Sequence, residues 1–290
     1  MFTGALVALV TPFENGQIDW RTLDELLDFQ MENGIDGIVP VGTTGESPTL
    51  SHEEHKKVIE RVVKAVGGKV PVIAGAGSNS TAEAIELGSY AKKVGADATL
   101  QVDPYYNKPT QEGFYRHFKT IAEEVDLPMV LYDIPSRCGA GMTAETIIRL
   151  SEIENIVAIK DATGKLDHVS EIAIGCDLTI LSGDDSLTLP IASVGGKGVI
   201  SVVANIVPAD VKAMTDLILE GDLVSARRWH NKLFSLSRNL LSLSTNPIPI
   251  KAAMSMLNLC SEELRLPLVP LEESKKAPLR ETLSGYGLLG

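Results

Sequence analysis

The sequence predicts an α/β protein of the (β/α)8 TIM-barrel class with a C-terminal helical appendage. Short apolar, β-rich runs recur at intervals of roughly 20 to 33 residues, with helix-period segments between them. Eight such runs can be counted, the number that closes a barrel, although a doubly wound parallel sheet has the same rhythm. From Asp222 onward the strand pattern stops and only helical spacing continues. The expected division is therefore a barrel over 1–221 and a helical region over 222–290.

In chain order, the strands are expected at Ala5–Val10, Gly37–Val41, Val70–Ala74, Ala98–Val102, Met129–Tyr132, Ile156–Lys160, Leu178–Leu181 and Gly198–Val202. The helices between them carry start and stop signals. Asp19 caps a segment with Leu23, Leu26, Leu27 and Met31 on one face, ended by Gly34. Ser51 with Glu54, and Ser80 with Glu83, read as capping boxes, and Pro208 suits a first helical position. In the appendage, Leu223, Ala226, Trp229, Leu233, Leu236 and Leu240 keep one helical face.

The bulk numbers exclude several functions. With 44% hydrophobic residues and a mean hydropathy of +0.11, the 290-residue chain has the material for a large core. A formal charge of −12 speaks against a nucleic-acid or anionic-membrane partner. No run approaches the length of a membrane span, and the N-terminus lacks a signal peptide's charged start. Three well-separated cysteines, Cys138, Cys176 and Cys260, fit reduced thiols in a cytoplasm.

In a barrel, polar residues at the C-terminal strand ends converge on one mouth. Here they include Thr11, Gly42–Glu46, Asp103–Asn107, Tyr132–Arg137, Lys160, Gly183–Asp185 and Ser201. The Gly42–Gly45 turn offers backbone N–H groups and two hydroxyls to a small carboxylate, or it is a plain βα turn. Lys160 ends an apolar strand. Either it marks the exit into water, or its amine is desolvated and attacks a carbonyl to form a Schiff base. Tyr132 ends the neighbouring strand, about 5 Å away laterally, near enough to share a substrate atom with that amine.

Other chemistries fit less well. Asp184 and Asp185 occupy the place where a phosphate-binding barrel needs a non-acidic loop. The five histidines, His52, His55, His117, His168 and His230, are scattered, with none at a strand end to build a zinc site. No Walker loop or dinucleotide-binding glycine fingerprint is present, so no cofactor and no metal is expected. A lysine with no metal and no phosphate site, beside a turn that can hold a carboxylate, suggests a 2-oxo acid condensed through an imine.

Three segments, GTTGES (Gly42–Ser47), YDIPSRCG (Tyr132–Gly139) and IKDATG (Ile159–Gly164), resemble the signatures of the dihydrodipicolinate synthase / N-acetylneuraminate lyase family. Thr3–Gly4, Thr11–Pro12, Pro104–Asn107 and Asn246–Lys251 fit as well, so the likeness spans nearly the whole chain. Asp133 stands where many synthases carry asparagine and sialate lyases often carry aspartate. Arg137 and the Thr43–Thr44 pair favour the synthase branch.

The resemblance implies a lyase that condenses pyruvate with L-aspartate 4-semialdehyde in lysine and diaminopimelate biosynthesis. It makes Lys160 the imine-forming lysine and Tyr132, Thr43 and Tyr106 a proton relay, with Tyr106 reaching into a neighbouring subunit. Thr44 and the Thr43 backbone match the pyruvate carboxylate site, and backbone at Gly183 and Ile200 lines the same pocket. Arg137 matches the receiver of the semialdehyde carboxylate. The family's synthases are commonly tetramers of two tight dimers, some of them inhibited by lysine. Ser47, His52, His55, Asn79, Glu83 and Tyr105 match that allosteric site, although Glu83 also reads as a capping acid and the histidines as polar residues of a first helical turn. A family aldolase acting on a sugar-derived 2-oxo acid is the alternative. A non-catalytic, metabolite-sensing barrel would have no need of Lys160, Tyr132 and Thr43.

Overall fold

The computed structural model describes residues 2–290. Eight parallel strands form its centre: β1 (Gly4–Ala8), β2 (Gly37–Val39), β3 (Ile73–Gly75), β4 (Ala98–Val102), β5 (Met129–Asp133), β6 (Ile156–Asp161), β7 (Thr179–Ser182) and β8 (Gly198–Ser201). Their order, β2-β1-β8-β7-β6-β5-β4-β3, pairs the first strand with the last, Gly4 facing Gly198. The remaining seam, between β2 and β3, is joined by an Ile38–Val72 bridge and by Gly75 N–H donating to Pro40 O at 3.0 Å. First-to-last pairing excludes the doubly wound alternative.

Strand ends differ from the expected ones for identifiable reasons. β1 stops at Ala8, because the Val10 N–H turns to the Asn205 side chain at 3.2 Å. Pro40 follows β2 and Pro71 precedes β3, and neither can donate to a ladder. β5 and β6 each run one residue further than expected, through Asp133 and Asp161. An Asn15–Gly16 hairpin joins Phe13–Glu14 to Gln17–Ile18, with both turn residues at positive φ.

The helices are α1 (Trp20–Glu32), α2 (His52–Val66), α3 (Thr81–Val94), α4 (Gln111–Val125), α5 (Ala144–Ser151), α6 (Leu166–Gly175), α7 (Thr188–Ser193) and α8 (Pro208–Leu219) around the barrel, then α9 (Leu223–Leu243), α10 (Ile248–Met256) and α11 (Glu273–Tyr286). Asp19 caps α1 and the Ser51–Glu54 box closes on α2 as expected. The second box does not form. Ser80 caps α3, but the Glu83 carboxylate turns away to the Ser78 hydroxyl and His52.

Packing divides by strand parity. Leu6, Ala8, Val130, Tyr132, Ala158, Leu181 and Ile200 fill the barrel interior. Residues of opposite parity, such as Leu131 and Ile159, pack outward under the helices. Ala226, Leu233, Leu236 and Leu240 of α9 and Leu279 and Leu283 of α11 join the same outer core as β1 and α1, so the appendage is continuous with the barrel wall. Among the described residues no helix is long and apolar enough to cross a membrane.

Candidate active site

The Gly42–Ser47 turn folds on itself, Glu46 N–H donating to Thr43 O at 3.1 Å and Ser47 N–H to Gly42 O at 3.3 Å. Among the described residues no acceptor meets the N–H of Thr43 or Thr44, which leaves two donors at the mouth. Only glycine fits at Gly45, where a Cβ would lie 2.9 Å from Val41 N. Glu46 takes a left-handed conformation (φ 56°), and its side chain is held below the turn. Its Oε1 meets Lys251 Nζ at 2.5 Å, both side chains fully buried, while Oε2 accepts the Arg265 N–H at 3.1 Å. Lys251 also donates to Glu263 O at 2.9 Å and lies over the Phe13 ring, and burial pushes its pKa down.

The appendage thus supports the turn from behind, and it touches the mouth directly. Asn246 Nδ2 donates to Thr44 Oγ1 at 2.9 Å. Arg137, in a short helix at Pro135–Cys138, donates from Nη2 to Asn246 O at 3.1 Å and Thr245 Oγ1 at 3.3 Å. These contacts escape the sequence reading, although a lysine inside the apolar run Ile248–Met254 is itself a signal, since lysine is seldom fully buried without a partner.

A cavity of about 240 Å³ opens at this end of the barrel, with Thr43, Ser47, Tyr105, Tyr132 and Arg137 among its walls. Lys160 stands beside it, Nζ 4.0 Å from the Tyr132 ring centroid and in register with Tyr132 across β5 and β6. Gly183 packs against Lys160: a Cβ there would lie 3.2 Å from Lys160 Cε. Ile200 is buried in the same interior cluster. Burial brings the Lys160 amine down to about 8, against the pull of Asp184 and Asp185, with Arg137 pressing the same way as burial. Burial pushes the Tyr132 phenol up, while Arg137 and the neighbouring Thr43 side chain draw it down. Asp185 is occupied structurally, accepting from the Val202 and Val203 N–H groups at 2.9 and 3.2 Å.

Tyr106 stands apart. It is 90% exposed at φ 73°, so no other residue of this chain covers its ring. Of the six residues matched to an allosteric site, four meet in two separate pairs and Ser47 shares a cavity wall with one of them. His52 Nε2 meets Glu83 Oε1 at 2.5 Å, Asn79 Nδ2 donates to Tyr105 O at 3.0 Å, and Ser47 and Tyr105 share the cavity wall. His55 departs from the surface reading of its helical turn: it is buried, its Nε2 2.7 Å from Gly75 O, and burial lowers its pKa. Nor is His168 remote from a strand end. It joins Asp133 and Asp161, three donor atoms within 4.8 Å of one another, with the imidazole facing both carboxylates.

The model of the dihydrodipicolinate synthetase family matches residues 1–285. The chain belongs to that family. A curated relative from Pelobacter propionicus, 4-hydroxy-tetrahydrodipicolinate synthase, is 53% identical over 291 residues, covering 100% of both chains. Among solved structures, the family's chloride-inhibited dihydrodipicolinate synthase from Acinetobacter baumannii, complexed with pyruvate, superposes with a TM-score of 0.97 at 43% identity, covering 100% of both chains. The Cyanidioschyzon merolae enzyme with lysine bound gives 0.96 at 44% identity, covering 99% of each.

Proposed function

We propose that the protein is a 4-hydroxy-tetrahydrodipicolinate synthase, condensing pyruvate with L-aspartate 4-semialdehyde through an imine on Lys160. The observation that carries this is a buried lysine amine, brought down to about 8, against a tyrosine ring that lines the cavity at the barrel mouth. The neutral Lys160 amine adds to the pyruvate carbonyl, and loss of water gives the imine. A proton lost from the pyruvate methyl group gives an enamine, which attacks the semialdehyde aldehyde carbon. The semialdehyde amine then displaces Lys160, closing the ring and freeing the enzyme.

The free Thr43 and Thr44 N–H groups hold the pyruvate carboxylate, with Gly183 and Ile200 backbone completing the pocket. Tyr132 and Thr43 move the protons of carbinolamine formation. Arg137 receives the carboxylate of the second substrate, its fork suited to that pairing. Tyr106 of a neighbouring copy completes the relay, which accounts for its exposure here and asks for a tight dimer, paired into a tetramer. Residues 1–221 form the barrel domain, and the 222–290 region contributes Asn246 and the turn's support. Lysine bound at Ser47, His52, His55, Asn79, Glu83 and Tyr105 is the proposed inhibitor, and the cytoplasm the proposed compartment.

Borohydride with pyruvate tests the mechanism. It should add one reduced pyruvyl group to the peptide containing Lys160, at a rate that rises with pH to a midpoint near 8 as the amine loses its proton. Lys160→Arg should abolish the adduct, because a guanidinium stays charged. Adducts elsewhere, or none, would remove the imine.

A further inference from the structure

Strand alternation that turns Tyr132 and Lys160 inward turns the next residues, Asp133 and Asp161, outward, and each pair faces its partner in the register of β5 and β6. Both carboxylates are completely buried. Two buried negative charges on adjacent strands repel unless a cation or a proton stands between them. Here a histidine stands between them. From α6, His168 places Nε2 3.4 Å from Asp133 Oδ2 and 3.8 Å from Asp161 Oδ2, bridging the two strands.

On the other side, Asp103 at the end of β4 lies against Asp133. Its N–H donates to Tyr132 O at 3.0 Å and its Oδ2 accepts from the Ile134 N–H at 3.1 Å. Burial first, and then the neighbouring Asp133, push the Asp103 carboxyl far above its usual range. Asp161 is steadied by Thr163, whose N–H and hydroxyl donate to Oδ1 at 3.2 and 2.9 Å. Asp133 raises the His168 pKa first, Asp161 and Glu171 adding to it against burial, and the Cys138 thiol feels Asp103 and Asp133. No further side chain fits at Gly141, where a Cβ would lie 2.7 Å from Asp133 Oδ1.

We propose that His168 is a positioning residue for the reaction: by bridging Asp133 and Asp161 behind the barrel wall, it sets the spacing of Tyr132 and Lys160, one residue back on each strand. The idea rests on the reading of Lys160 as the nucleophile. An ångström at the reacting groups is worth up to about a hundred-fold in rate, so a fastening one residue away has catalytic weight.

His168→Leu removes the bridge. His168→Gln keeps a single donor without the charge and serves if the leucine variant does not fold. Substrate-free competitive acetylation of Lys160 across pH reads the amine directly, and steady-state turnover reads the reaction. Both variants should shift the acetylation midpoint of Lys160 and lower kcat about ten- to a hundred-fold, with the KM for pyruvate within about two-fold of wild type. Asp133→Asn combined with His168→Gln, which removes the facing charges together and leaves the net charge of the cluster unchanged, should recover part of the loss. Variants with a lower Tm but a wild-type Lys160 midpoint and kcat would overturn the proposal and leave His168 a stability residue. If wild-type protein forms no pyruvate adduct, the mechanism of Lys160 is wrong, whereas the acetylation midpoint still decides whether His168 positions that side chain.

Discussion

At the scale of single residues, the site depends on side chains whose surroundings conflict with their chemistry. Lys160 is a cation in an apolar strand, and burial turns it toward a neutral amine. The sequence made Lys160, Tyr132 and the Gly42–Glu46 turn legible because all lie at strand ends, where parity and barrel geometry foretell convergence. Arg137 was legible only through its motif, since an exposed arginine on a short turn has no periodicity to betray it. Held by the Asn246 carbonyl rather than by an acid, it keeps its charge free for a substrate carboxylate. Losing a charge-assisted pair costs about 1.5–3 kcal/mol, or roughly ten- to a hundred-and-fifty-fold in rate. Arg137→Ala should lose that factor in turnover with aspartate semialdehyde while borohydride trapping of pyruvate, measured above the Lys160 midpoint, stays near wild type. A parallel fall in trapping would place Arg137 in the pyruvate pocket instead.

At the scale of elements, the barrel strands were predictable and the supports of the mouth were not. Periodicity identifies which face of α9 is buried, but it cannot show that α10 sends a lysine beneath the Gly42–Ser47 turn, 205 residues away in sequence. The second capping box failed for a similar reason: Glu83 has the right spacing, yet Ser78 and His52 compete for its carboxylate. The Lys251–Glu46 pair lends itself to a test. Removing one partner strands a buried charge, which typically costs about 3–5 kcal/mol. Lys251→Met should therefore destabilise the protein by that order in chemical denaturation. Adding Glu46→Gln should restore much of it, since the orphaned charge is then gone. A cost below about 1 kcal/mol for the single variant would show that water reaches Glu46.

For the whole molecule, the exposed Tyr106 is a feature that one chain does not account for, and the His52–Glu83 pair is partly open to solvent. If lysine binds where these residues meet a neighbouring copy, millimolar lysine should slow the wild type, and Glu83→Ala should weaken that inhibition, while the loss of stability stays near 1 kcal/mol or less. A wild type indifferent to lysine would leave Glu83 a structural acid. One consequence concerns the order in which the chain is made. Asn246 meets Thr44 and Arg265 meets Glu54 across 202 and 211 residues. Domains tend to fold as they leave the ribosome, N-terminal parts first. Here the turn that would hold the first substrate waits, unsupported, until residues near 265 have emerged. A nascent barrel that already contains Lys160 therefore lacks the buttress of its mouth until the last helices dock.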